Sequence, residues 1–149
     1  MIRIMFVCHG NICRSTMAEY VMKELVRKQG LTEDFYITSS ATSTEEIGNP
    51  VHPGTRAKLR EKGIPCGGHR AVQLQKGDLA RFDYLLGMDT ANIRNMRWLL
   101  GGNDKIRRLL DFSAQPRNIA DPWYTGNFDD TFRDVLEGCT ALLQHILSR

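Results

Sequence analysis

No run of residues in this chain is apolar for long enough to span a bilayer. Met1 leads straight into a strand-like stretch without the basic n-region and cleavage site of a secretory signal, so a soluble cytoplasmic protein with no membrane partner is expected. Cysteine is scarce: Cys8, Cys13, Cys66 and Cys139 are the only four in 149 residues. A chain of that length builds a proper core, so reduced thiols are expected and a disulfide framework is not. Charge of one sign is lacking too, with 20 Lys and Arg against 17 Asp and Glu, a net charge of +3. The densest basic group, Arg94, Arg97, Lys105, Arg107 and Arg108, has no zinc-finger or aromatic-interleaved pattern around it. A solvated helix face explains it about as well as an anionic partner does, and no nucleic-acid partner is expected. Cys8, His9 and Cys13 lie close together, but no fourth ligand stands at recognisable spacing, so no metal and no cofactor are expected.

What is present is an alternation of strand-like and helix-like segments in a length that suits one domain over residues 1–149. Ile2 to Val7 is apolar and β-branched apart from Arg3, the profile of a buried parallel strand. Met17, Ala18, Val21, Met22, Leu25 and Val26 then recur at helical spacing, with Ser15 expected as N-cap and Gly30 as stop. Phe35 to Thr38 reads as a second strand, Pro53 to Gly63 as a helix, Phe82 to Leu86 as a third strand, and Asp89 as the cap of a further helix. Ile106 to Leu110 is a weaker fourth strand, and residues 111–127 form a long Pro-containing loop of the kind that often carries function. A long apolar stripe from Phe132 to Leu147 marks a C-terminal helix. The alternation predicts an α/β fold, an open parallel sheet with helices on both faces, whose ligand site lies beyond the carboxyl ends of the strands.

The first such end carries Cys8-His9-Gly10-Asn11-Ile12-Cys13-Arg14-Ser15 between strand and helix. A loop entering a helix points several unpaired N–H groups at one spot, and the helix dipole adds positive charge there, which together favour phosphate. Gly10 permits the turn, and Asn11 tolerates a left-handed backbone. The same field favours a thiolate at Cys8. Arg14 offers a planar fork for two phosphate oxygens, and Ser15 a hydroxyl for the departing sulfur.

Val7 to Ser15 matches V-C-x-G-N-x-C-R-S throughout, and at this point the chain resembles the low-molecular-weight protein tyrosine phosphatases. Further likeness lies in Met17-Ala18-Glu19, Ser39, His69-Arg70-Ala71, Phe82-Asp83-Tyr84 with Met88-Asp89, and Asp121-Pro122-Trp123-Tyr124-Thr125-Gly126. The resemblance implies a four-stranded parallel sheet in a three-layer α/β/α fold with the phosphate-binding loop after strand 1. It also implies hydrolysis of phosphotyrosine in proteins through a phosphocysteine on Cys8, with inorganic phosphate as product. Asp121 becomes the general acid and base, a choice that spacing alone does not make. Residues His9 to Ser15 become the phosphate cradle, with Asn11, Ser39 and His69 holding it in shape. Ile12, Glu45, Trp123 and Tyr124 become the walls met by the substrate ring.

Thr16 stands where relatives commonly have proline, and Thr44-Glu45-Glu46-Ile47 stands where many carry an aromatic, which leads to an expected preference for basic residues around the target. Two other readings use the same loop. Members of this family that hydrolyse phosphoarginine carry a threonine where this chain has Ile12. A redox-sensing or binding module would rely on Cys13 capturing an oxidised Cys8 as a disulfide.

Overall fold

The computed structural model describes all 149 residues. The order is β1 (Ile2–Cys8), α1 (Arg14–Lys28), β2 (Phe35–Ala41), α2 (Pro53–Glu61), α3 (Asp78–Arg81), β3 (Tyr84–Gly87), α4 (Thr90–Leu100), β4 (Ile106–Arg108), α5 (Pro122–Thr125) and α6 (Phe128–Leu147). The four strands form one parallel sheet in the order β2-β1-β3-β4. Side chains alternate across β1 and so build two cores. Ile4, Phe6 and Cys8 face the layer that holds α1 and α6, together with Leu142, Leu143 and Ile146 of α6. Met5 and Val7 face the other layer, with Phe82, Leu85, Met96 and Ile106.

The sheet order positions the site. From the central strand β1 the chain crosses to β2 on one side and later to β3 on the other, so the carboxyl end of β1 is where the winding reverses. Cys8 sits at that end, 3 % exposed, and its carbonyl accepts Thr42 N–H at 3.0 Å.

Element bounds differ from the sequence expectation where local chemistry competes. The third strand begins at Tyr84, because the Asp83 N–H is taken by Arg3 O and its carboxylate accepts Arg3 N–H at 2.8 Å. The fourth strand stops at Arg108: the Asp111 carboxylate accepts the Arg108 N–H at 3.0 Å and its Nε at 2.9 Å, turning residues Leu109–Phe112 into a 3-10 segment. The long loop contains α5, a single turn capped by Asp121, whose Oδ1 accepts Trp123 N–H at 3.0 Å.

Candidate active site

The loop from Cys8 to Ser15 is held by a connected set of hydrogen bonds around the buried Asn11 side chain. Asn11, with φ of +59°, is the one non-glycine residue in the left-handed region. That turn aims its N–H at Cys8 Sγ, 3.3 Å away. The Asn11 side chain fills all its bonding capacity: Nδ2 donates to Ser15 Oγ at 2.8 Å and to Ser39 Oγ at 2.9 Å. Oδ1 accepts from Val72 N–H at 3.2 Å and from His69 Nε2 at 2.8 Å, an arrangement that puts the proton on Nε2. Ser39 donates onward to Glu19 Oε1 at 2.6 Å, and Lys23 closes the set on Glu19 Oε2 at 2.7 Å. Burial pushes His69 below its ordinary pKa, against the pull of Glu19, 3.7 Å from Nδ1.

Ser15 is not the helix cap that its position suggests. The helix starts two residues earlier, at Arg14, with Cys13 in the cap position and no side-chain cap, and the Ser15 hydroxyl lies 3.1 Å from Cys8 Sγ instead. The first-turn N–H groups of α1 are thereby left without an internal acceptor, as an anion site requires. Ser15 Oγ already accepts from Asn11, so its proton is free to point at the sulfur.

Arg14 is 3 % exposed, and three acceptors face its two terminal nitrogens. Nη1 donates to Asp89 Oδ2 and to Ile119 O, both at 2.7 Å, and Nη2 lies 3.5 Å from Asp121 Oδ2. Burial works against the guanidinium charge, but Cys8, Asp89 and Asp121 more than offset it and raise its pKa. Asp89 does two jobs at once, since its Oδ1 caps α4 through Asn92 N–H at 2.8 Å. Cys13 differs from its neighbour. Burial, and after it the charge of Cys8, pushes its thiol up to about 12, so it stays protonated at neutral pH and does not compete as nucleophile.

Above the loop lies a cleft of about 120 Å3. The loop lines it with Cys8, His9, Gly10, Ile12 and Cys13; the rest of the lining is Glu45 and Glu46 together with Asp121, Trp123 and Tyr124. Trp123 is 57 % and Tyr124 84 % exposed, apolar surface that a planar ring would cover. His9 Nε2 meets Glu45 Oε2 at 2.6 Å across the mouth, so Glu45 is paired with a loop residue.

Every residue that the sequence reading placed in the site therefore converges here, either on the cleft or on the network behind it. Sequence reading missed four contributors. Asp89 reads as a helix cap and as part of the Met88-Asp89 likeness, neither of which ties it to Arg14, and the Ile119 carbonyl is backbone without any residue signature. His52 sat before a proline-started helix with nothing to link it to Trp123. Glu19 did leave a signal, a charge on the apolar face of α1 one turn after Ser15.

Comparison with known proteins agrees with this geometry. A family described as low molecular weight phosphotyrosine protein phosphatase matches residues 3–149. The chain is 41 % identical to the low molecular weight protein-tyrosine-phosphatase YfkJ of Bacillus subtilis, over 98 % of this chain and 96 % of the relative. It is 36 % identical to the human low molecular weight phosphotyrosine protein phosphatase, over 95 % of this chain and 93 % of the relative. The crystal structure of YfkJ superposes with a TM-score of 0.95, covering 99 % of this chain and 96 % of the other. A drosophila arginine phosphatase, 28 % identical, superposes with a TM-score of 0.88, covering 98 % of each chain. With a nearly full-length family match and relatives above the third-identity mark, this chain belongs to the low molecular weight phosphotyrosine protein phosphatase family.

Proposed function

We propose that this enzyme hydrolyses phosphotyrosine in proteins with Cys8 as nucleophile, Arg14 as phosphate anchor and Asp121 as proton donor and later base. One observation carries the reading: Cys8 and Asp121 line one cleft, and the Arg14 guanidinium at the end of the Cys8 loop lies 3.5 Å from the Asp121 carboxyl, although 107 residues separate Arg14 from Asp121. The phosphate takes the place between the loop N–H groups and Arg14. With both Nη1 protons used on Asp89 and Ile119, the Nε–Nη2 edge is the pair left for two phosphate oxygens. The Cys8 thiolate attacks phosphorus, the bond to the tyrosine oxygen breaks, and the Asp121 proton goes to that oxygen. Asp121, now a carboxylate, takes a proton from water as the water oxygen attacks phosphorus. The P–S bond then breaks, the electron pair returns to Cys8, and inorganic phosphate departs. The Ser15 hydroxyl donates to the sulfur whenever it carries charge.

Ile12, 8 % exposed, offers the incoming ring an apolar contact and no hydroxyl, which favours tyrosine over arginine as the phosphorylated residue. Glu45 and Glu46 set a preference for basic residues near the target, tempered by the His9–Glu45 pair. The test is phosphate release from phosphotyrosine and phosphoarginine peptides, with Arg or Asp flanking the target, under metal-free reducing conditions. Phosphotyrosine turnover should vanish in Cys8→Ser, fall about a hundredfold in Asp121→Asn, and run faster on the Arg-flanked peptide. Selective phosphoarginine turnover would keep the chemistry and overturn the substrate; no turnover of either peptide would overturn the assignment of roles.

A further inference from the structure

The first turn of α2 holds no reacting group, yet it touches both halves of the site. On one side it is tied to the phosphate loop: the His52 N–H donates to Ile12 O at 2.9 Å and Thr55 Oγ1 to Cys13 O at 3.1 Å. On the other side it meets the segment that carries Asp121. The His52 ring stands edge-on to Trp123, with centroids 5.7 Å apart at 76°, and stacks on Phe128 at 5.4 Å and 20°. Its Nδ1 accepts Gly54 N–H at 3.0 Å, which fixes the rotation of the ring. Gly54 has no Cβ for a close reason: one would lie 2.3 Å from the Phe128 ring.

Trp123 passes this placement on. Its backbone N–H holds Asp121 Oδ1 at 3.0 Å, which leaves Oδ2 toward Arg14. The helix α5 has only four residues, too few to hold a position unaided, and His52 is the one aromatic ring packed on Trp123.

We propose that His52 is a positioning residue for proton transfer: its ring, anchored to the phosphate loop and to Phe128, fixes Trp123 and through it the Asp121 carboxyl. The inference rests on the reading of Asp121 as the proton donor. A proton donor matters most when the departing oxygen is basic, as in tyrosine with a phenol pKa of about 10, and least for a stabilised leaving group such as p-nitrophenolate. Displacing the carboxyl should therefore harm phenyl phosphate more than p-nitrophenyl phosphate.

The experiment compares kcat/KM for these two substrates, together with inhibition by inorganic phosphate, in the wild type, His52→Asn, His52→Phe and Asp121→Asn. His52→Asn keeps an acceptor for Gly54 N–H while removing the ring, so α2 stays capped. It should lose about tenfold on phenyl phosphate, about twofold on p-nitrophenyl phosphate, and leave phosphate inhibition within twofold. His52→Phe, which restores the packing, should recover most of the loss on phenyl phosphate. Equal losses on both substrates, or no loss, while Asp121→Asn discriminates between them, would overturn the role of His52. If Asp121→Asn itself fails to discriminate, the proton-donor reading falls and the inference falls with it.

Discussion

At position 11 the backbone and the side chain make different demands. A left-handed φ disfavours any residue with a Cβ by about 1–2 kcal/mol, which argues for glycine; the four hydrogen bonds of the buried side chain argue for asparagine. Asparagine wins because its loss would leave Ser15, Ser39, His69 and Val72 N–H short of partners, at about 1–3 kcal/mol for each group that water cannot reach. Two substitutions separate the demands. Both Asn11→Gly and Asn11→Ala should lower kcat/KM about a hundredfold or more, since the cradle N–H groups lose their fixed aim. Denaturant unfolding should nevertheless find the glycine variant more stable than the alanine one by about 1 kcal/mol, the reverse of the order inside a helix. The opposite ranking would show that the backbone is not strained there. Asn11 was legible in the sequence because loop residues of the right type stand between a strand and a helix. Asp89 was not, because an Asp before a helix is fully explained as a cap, and only the fold brings Arg14 to its second oxygen.

Among the elements, α6 shows most plainly where packing overrides propensity. Gly138 sits in the middle of its buried stripe, where Ala would favour the helix by about 1 kcal/mol. A Cβ there would lie 2.5 Å from Leu109 Cγ, and Leu109 is fully enclosed. Overpacking costs about 1–3 kcal/mol, so Gly138→Ala should destabilise the fold by about 1 kcal/mol in chemical unfolding, despite the better helix former. Shortening the neighbour with Leu109→Ala should make the two changes non-additive, the double variant being more stable than the sum of the single losses. Additive losses would mean that the contact is relieved elsewhere. The same pair explains what could be read in advance. The helix itself was legible from its apolar period, whereas the turn that brings Leu109 under it was not. Ile106 to Leu110 looks like a continuous strand, and it is broken at Arg108 by a competing carboxylate three residues on. The one-turn helix α5 was hidden in the same way, since four residues carry no period and only the capping Asp121 marks it.

Over the whole molecule, the long connection from β4 to α6 must be held down if Asp121 is to stay over the phosphate loop, and the clamp is ionic. Arg117 donates to Glu137 at 2.9 and 3.0 Å and to Asp134 at 2.8 Å, and Ser113 donates to the same Glu137, fixing residues 113–117 on α6. The bonds from Arg117 and then Ser113 hold the Glu137 carboxyl at about 2, well below its ordinary 4.5. Because the folded value is the depressed one, this stabilisation is complete above about pH 4.5 and is lost as the pH falls toward about 2. Asp129, held down by Lys58, and Glu24, held down by Arg27, move in the same direction, so the acid limb of the stability curve is shared. Glu137→Gln isolates its part. Glu137 is 38 % exposed, so solvent screening limits the contribution to about 1 kcal/mol. Unfolding free energies at pH 7 should therefore drop by about that amount in the variant, while the two proteins converge near pH 2. A loss that persisted undiminished at pH 2 would mean that the amide had disturbed packing and that the ion pair is not what clamps the loop. The need for such a clamp follows from the topology: Asp121 reaches the phosphate loop from a segment outside the sheet, whose strands hold that segment through the bond from Arg108 of β4 to Asn118 Oδ1 at 2.9 Å, leaving residues 113–117 to α6.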